Sequence, residues 1–171
     1  VKVVAVAAHD TQSASAVVPT QDDDFIFISC GTWSLYGTEL NDPVINEKSL
    51  ELNVSNEGGY GGKVNFLKNI AGLWMVQESR RQWKREGKDF SFDALEKAAW
   101  QAEPFQSFIN PDDEAFAAPG NMPRRIREYC EKTGQKVPQT EGEIIRCAAQ
   151  SIAMKCAYAV KGMEDTLGKN L

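Results

Sequence analysis

Residues 25–40, FIFISCGTWSLYGTEL, carry the strongest β-strand pattern in the chain and therefore limit the folds open to it. The segment is rich in aromatic and β-branched residues. Gly31-Thr32 and Gly37 interrupt the run and Asp42-Pro43 ends it, so we predict two short strands joined by a turn. Because mostly helical patterns follow, we expect an α/β or α+β chain, with strands first and several helices after them.

The other predicted elements surround this strand pair. Residues 1–8 are apolar throughout, as expected of a strand buried on both faces. Residues 63–87, KVNFLKNIAGLWMVQESRRQWKREG, predict one long amphipathic helix, since Phe66, Ile70, Leu73 and Trp74 recur at helical spacing. The remaining predictions are a helix over 11–18 stopped by Pro19, mixed strand and loop over 46–56, a helix over 91–102 capped by Ser91, a loop over 105–123, a helix over 122–133, and a last helix that begins with a Thr140–Glu143 capping box and ends at Gly168.

Composition and charge argue against several classes of protein. The 171 residues are 42% hydrophobic and 25% charged, as in ordinary globular proteins, so residues 1–171 are expected to form a single domain. A net charge of −5 without a basic cluster argues against nucleic-acid and anionic-membrane partners. The apolar runs are too short to span a bilayer.

The four cysteines, Cys30, Cys130, Cys147 and Cys156, lack the close paired spacing of a zinc site. They are typical of buried or incidental thiols in a reduced compartment, which indicates the cytoplasm. A bridge between Cys130 and Cys147 is the less favoured alternative.

A candidate catalytic group follows the first predicted strand, where His9, Asp10 and Thr11 precede a predicted helix. Ligands of open α/β sheets bind at the carboxyl ends of strands. A carboxylate placed there can accept the proton of a substrate hydroxyl, as phosphoryl transfer to an alcohol requires. The residues support equally the alternative that Asp10 only caps the helix. His9 by itself is more typical of a packed, hydrogen-bonded histidine than of a functional one.

Two glycine-containing segments are candidate phosphate contacts. At Gly31-Thr32 a glycine permits close approach of a phosphate and the threonine adds N–H and hydroxyl donors, although an ordinary hairpin turn is the favoured alternative. The segment 56–62, NEGGYGG, matches neither the Walker pattern nor a dinucleotide fingerprint. It predicts a flexible or tightly folded loop whose backbone lies near a ligand.

Two polar residues of the predicted long helix are candidate ligand contacts. Gln77 continues the apolar stripe and therefore needs a polar partner, and Asn69 borders the same face. Binding of neighbouring backbone groups is the slightly favoured alternative for both. Glu78, Arg80 and Arg81 are expected to form a solvated face.

The ordered set of motifs is more specific than any one of them. AAHDTQSASAVVP, FISCGTWSLYGTEL, SNEGGYGG and LKNIAGLWMVQESRRQW occur in this order and at these separations in rhamnulokinases, a group within the FGGY family of carbohydrate kinases. The chain resembles them strongly from Val1 to about Trp83 and more loosely through residues 119–153.

The resemblance implies an actin-like (ribonuclease H-like) ATPase fold of two domains, with the active site in the cleft, and ATP-dependent phosphorylation of L-rhamnulose to L-rhamnulose 1-phosphate. It implies that Asp10 is the catalytic base and that His9, Thr11 and Asn69 contact the sugar. Gly31, Thr32 and Gln77 would contact the nucleotide, with Mg²⁺ bridging the phosphates. The partners implied are ATP and a small sugar.

The family's first domain and its glycine-rich adenosine-binding segment have no counterpart in these residues. We therefore expect an incomplete C-terminal domain that does not turn over substrate by itself. L-fuculokinase and xylulokinase are alternative members of the same family. A non-catalytic binding module with a kinase-like fold is the alternative from another class, and the presence of Asp10 argues against it.

Overall fold

The computed structural model describes residues 1–3, 9–22 and 24–171. In chain order its elements are α1 (Asp10–Ser15), β1 (Phe27–Cys30), β2 (Trp33–Leu40), α2 (Glu47–Glu51), β3 (Ser55–Gly58), β4 (Val64–Ala71), α3 (Trp74–Arg85), α4 (Phe92–Gln101), α5 (Met122–Lys132) and α6 (Glu141–Leu167), with 3₁₀ turns at Tyr60–Gly62 and Glu114–Phe116. This mixture of helices and an antiparallel sheet confirms the α/β class. The strand expected over 1–8 lies largely outside the described residues, and residues 1–3 have no regular structure.

The chain divides into two compact units. The first unit comprises Val1–Cys30, Ser34–Asn69 and Cys156–Leu171, and the second comprises Gly31–Trp33 and Ile70–Lys155. The assignment of residues 1–171 to a single domain stays a prediction.

A four-stranded sheet in the order β1-β2-β4-β3 is the centre of the first unit. β1 and β2 are antiparallel, with Phe27 opposite Gly37, so the predicted pair of strands is confirmed. Gly37 does not interrupt β2 as expected. A Cβ there would lie 2.6 Å from the Phe27 ring and 2.9 Å from Leu67 Cβ, so the glycine makes room for packing inside a continuous strand.

The helix expected over 63–87 is wrong in its first third, because these residues form β4 and α3 begins only afterwards. Phe66 and Ile70 are four residues apart, a spacing that fits a helix and equally one face of a strand. Both are fully buried, and so is Leu67 on the opposite face. A strand buried on both faces lacks the alternation that would have identified it.

Capping hydrogen bonds begin α4 and α6 at the residues that the sequence predicts. The Ser91 side chain accepts a hydrogen bond from Ala94 N at the start of α4, as predicted. The Thr140–Glu143 capping box is present at α6, with Glu143 N 3.2 Å from Thr140 Oγ1 and Thr140 N 2.9 Å from Glu143 Oε2. α2, which was not predicted, starts with a capping box formed by Asn46 and Ser49.

The four cysteines are free thiols, as expected. Cys130 and Cys147 are buried and hydrogen-bonded to each other in the second unit, so the alternative of a bridge is wrong. Among the described residues, no helix combines the length and the apolar character that crossing a bilayer requires.

In the second unit α4 and α6 approach each other closely at a glycine. A Cβ on Gly142 would lie 2.4 Å from the backbone oxygen of Ala98. Any side chain at this position therefore requires the two helices to move apart.

Glu78 on α3 is a buried carboxylate, with 1% of its side chain exposed, and the expected solvated face is wrong at this position. Arg81 Nη1 and Arg85 Nη2 each donate to it at 2.8 Å, and Gly120 N donates at 3.2 Å. Burial alone would raise the pKa of Glu78, but these hydrogen bonds outweigh it and hold the pKa below the ordinary value of 4.5. The carboxylate thereby joins α3 to the segment before α5.

We predict that Gly142→Ala lowers the free energy of unfolding by about 2 kcal/mol, because the added methyl group meets backbone that cannot rotate away. The matched control is Gly162→Ala on the same helix, where the Cβ would meet only the end of the flexible Leu52 side chain. Chemical denaturation of the three proteins measures the difference. Equal stability of the two variants would contradict the close approach.

We predict that Glu78→Gln costs about 2 kcal/mol at neutral pH, because the neutral amide has one acceptor oxygen in place of two and loses charge-assisted hydrogen bonds from Arg81 and Arg85. Since the native pKa is lowered, the wild-type chain holds this stabilisation above about pH 4.5 and loses it as the pH falls further. Urea denaturation at a series of pH values should show the gap between the two proteins closing below that pH. Exposed Glu96 provides the control variant Glu96→Gln, and a gap that is independent of pH would refute the assignment.

Candidate active site

The Gly31–Thr32 turn is attached to the start of α3 by backbone hydrogen bonds within the second unit. Gly31 O accepts from Leu73 N at 2.9 Å. Thr32 O accepts from Gly72 N at 3.2 Å and from Trp74 N at 3.1 Å. These bonds satisfy N–H groups that a helix start otherwise leaves unpaired. They also hold the turn without using either residue's side chain.

Thr32 and Gln77, the predicted nucleotide contacts, come together across 45 residues of sequence. Thr32 Oγ1 donates to Gln77 Oε1 at 3.3 Å. Gln77 lies in the first turn of α3 and is half-buried, whereas Thr32 is exposed. The Gln77 amide nitrogen has no hydrogen-bond partner among the described residues and is available as a donor.

Beside Gln77 lies an apolar groove between α3, α4 and α6 that the sequence did not indicate. It has a volume of about 680 Å³, and its walls include Val76, Phe92, Trp100 and Ala149. Its residues are scattered over three helices, so no local pattern marks it.

His9, Asp10 and Thr11 form the start of α1 in the first unit. His9 holds the N-cap position without a side-chain hydrogen bond, and Asp10 is the first helical residue. The Asp10 Oδ1 atom accepts from Thr11 N at 2.8 Å and lies 3.4 Å from His9 Nε2. The Asp10 side chain is 94% exposed. Asp10 is therefore not the N-cap residue, and one of its oxygens points to solvent without a partner among the described residues.

Asn69 lies on β4, not on a helix, so its expected place beside Gln77 on one helix face is wrong. It is exposed near the end of the strand and belongs to the first unit, like residues 9–11. No hydrogen bond between described residues joins it to that triplet.

The segment NEGGYGG forms the end of β3 and most of its connection to β4. Gly59 N donates to Lys63 O at 2.8 Å, and Gly61 and Gly62 have φ of 64° and 82°. Of the two predicted alternatives, the tightly folded loop is the one observed. Its half-buried Glu57 and the nearby buried residues Gln12 and Asn65 form a polar cluster that no local sequence pattern indicates.

Comparison with known proteins connects these features to one family. The model of the FGGY family of carbohydrate kinases, C-terminal domain, matches residues 26–171. Rhamnulokinases of Bacteroides thetaiotaomicron, Bacillus subtilis and Ligilactobacillus salivarius are 47%, 44% and 42% identical to the chain, over 95%, 98% and 100% of its length. The chain spans about a third of these relatives, 33%, 34% and 35% respectively.

The domain of this family model has the actin-like ATPase fold, which agrees with the mixed helices and antiparallel sheet described above. The match includes the Thr32–Gln77 pair and all four strands of the sheet. The chain belongs to the FGGY family of carbohydrate kinases.

Proposed function

We propose that the chain contributes to an ATP-dependent kinase that phosphorylates L-rhamnulose to L-rhamnulose 1-phosphate. The observation that carries this proposal is the identity of 42% to 47% with three proteins named rhamnulokinase, over nearly the whole chain. The reaction consumes a cytoplasmic nucleotide, so the protein is proposed to act in the cytoplasm.

Asp10 is proposed as the base that accepts the proton of the attacking sugar hydroxyl. Its geometry suits this role, because Thr11 N orients one oxygen at 2.8 Å while the other stays accessible. A carboxylate in hydrogen-bond reach of the hydroxyl can remove the proton as the phosphoryl group is transferred. His9 and Asn69, whose polar side chains are exposed in the first unit, are proposed to orient the sugar, and the buried Thr11 is proposed to act there through the backbone N–H that orients Asp10.

The Gly31–Thr32 turn and Gln77 are proposed to bind the ATP phosphates. A Cβ on Gly31 would meet only Trp33 O, at an ordinary 3.6 Å, so packing within the chain does not require glycine there. Close approach of a phosphate would require it. The Gln77 amide nitrogen supplies one hydrogen-bond donor, and the Thr32 hydroxyl supplies a second when it turns its single proton from Gln77 Oε1 to a phosphate oxygen.

Magnesium is proposed to enter as the complex with ATP. No group of three or more His, Cys, Asp or Glu in the described part of the chain could hold a metal ion. Mg²⁺ usually binds through one or two carboxylates together with substrate phosphates, so its arrival on ATP does not require such a group.

We expect Asp10→Asn in a full-length kinase carrying this sequence to lower kcat by about 1,000-fold, because the amide cannot accept the proton. Asp42→Asn, another exposed aspartate, is the matched control and should keep full activity. A coupled ADP-release assay measures the turnover of each variant. Run with L-rhamnulose, L-fuculose and D-xylulose, it also measures which ketose is preferred. Unchanged turnover refutes the base, and preference for another ketose refutes the substrate.

We expect Thr32→Val to raise the KM for ATP about tenfold, because a hydrogen bond to a charged phosphate is lost while the shape of the side chain is kept. Thr38→Val on β2, the strand that follows Thr32, is the matched control, since the Thr38 hydroxyl is buried without a partner among the described residues. Steady-state kinetics with varied ATP provide the measurement. Equal KM values for the two variants would show that the Thr32 hydroxyl does not bind the nucleotide.

A further inference from the structure

The helix that carries Asp10 is too short to hold its own orientation. α1 has six residues, and its N-cap makes no side-chain hydrogen bond. Isolated helices of this length are unstable in water. The direction in which Asp10 points therefore depends on what the buried face of α1 contacts.

That buried face is polar. Thr11, Gln12 and Ser15 are 8%, 2% and 5% exposed. Gln12 Nε2 donates to Glu57 Oε2 at 2.6 Å, and Asn65 Nδ2 donates to Ser15 Oγ at 3.0 Å. Directional hydrogen bonds, rather than apolar packing, thus join α1 to the sheet.

The two attachment points on the sheet are adjacent. Glu57 on β3 is the cross-strand partner of Asn65 on β4, so their side chains leave the same face of the sheet. The second oxygen of Glu57 accepts from Ser55 Oγ at 3.0 Å, which fixes the plane of the carboxylate. Glu57 forms no ion pair within the described residues, so the Gln12 amide is the strongest donor it has there.

The geometry of a helix converts this anchor into an orientation for Asp10. Asp10 and Gln12 are two residues apart, which places their side chains about 200° apart around the axis. Holding Gln12 inward, at 2% exposure, therefore directs Asp10 outward, where it is 94% exposed. A rotation of α1 that released Gln12 would carry Asp10 toward the sheet.

We infer that Glu57 is a positioning residue for Asp10, acting through its hydrogen bond to Gln12. This inference rests on the proposed role of Asp10 as base. The hydrogen bonds that attach α1 to the sheet also leave Gln12 Oε1 and Asn65 Oδ1 buried without partners among the described residues, which destabilises the fold. Apolar packing would avoid that cost but would hold the rotation of α1 less strictly.

The test is an exchange of the two side chains in a full-length kinase carrying this sequence. Gln12→Glu places two carboxylates together and is expected to lower kcat by about 10- to 100-fold through displacement of Asp10. The double variant Gln12→Glu with Glu57→Gln restores an amide–carboxylate pair and should return kcat to within about threefold of the unsubstituted protein. The KM for ATP should not change, and Glu51→Gln on α2 is the matched control.

A second measurement is independent of activity. Amide hydrogen exchange over residues 10–15 should speed up in Gln12→Glu and slow again in the double variant. Undiminished kcat in Gln12→Glu, or a double variant no better than the single one, would overturn the inference.

Failure of the proposed function is recognised separately. In that case Asp10→Asn retains its turnover, and exchange protection of α1 then decides alone whether Glu57 anchors the helix. Restored protection in the double variant supports the anchor, and unrestored protection refutes it.

Discussion

The burial of β4 on both faces is the constraint on which the first unit depends. Phe66 points to one side of the sheet and Leu67 to the other, and neither has exposed surface. β4 also pairs with β2 and β3, so its backbone groups and its side chains are both committed. Leu67 requires the glycine at position 37, and Asn65 holds α1 through Ser15. A change in this strand consequently reaches each element packed on it.

Two glutamates, the buried Glu78 and the half-buried Glu57, show how the same side chain serves different purposes. Glu78 is opposed by two arginines and a backbone N–H, so its charge is neutralised and the contact stabilises the second unit. Glu57 meets only an amide and a hydroxyl, within the described residues. Such neutral donors compensate a carboxylate less completely, but they impose a direction on their partners. The first arrangement favours stability and the second favours orientation.

Much of the fold could be predicted because its signals are local. The turn at Gly31-Thr32, the Ser91 cap and the Thr140–Glu143 capping box each depend on residues within a few positions of each other. β4 could not, because the spacing of Phe66 and Ile70 satisfies both helical and strand periods. The family resemblance came from the order of motifs and was confirmed by the match over residues 26–171.

The membership of the candidate site stays a prediction, and the contacts between its members could not be predicted from the sequence. Thr32 and Gln77 were identified separately. Only the fold shows that Thr32 Oγ1 lies 3.3 Å from Gln77 Oε1, although the two residues are 45 positions apart in the sequence. Asn69 was predicted to lie on a helix but lies on β4. The error arose because the apolar spacing in residues 64–71 was interpreted as helical. The contacts that attach α1 to the sheet could not be predicted, because Gln12 and Asn65 are distinguished from other polar residues only by their burial, and Glu57 only by its hydrogen bond to Gln12.

The attachment of the Gly31–Thr32 turn through main-chain atoms has an evolutionary consequence. Every residue has a backbone carbonyl, so the bonds that positions 31 and 32 accept from the start of α3 do not depend on which side chains stand there. Selection can therefore exchange those side chains, and with them the ligand that the turn prefers, without unfolding the protein. The backbone structure of the turn and the ligand preference of its side chains can therefore change at different rates.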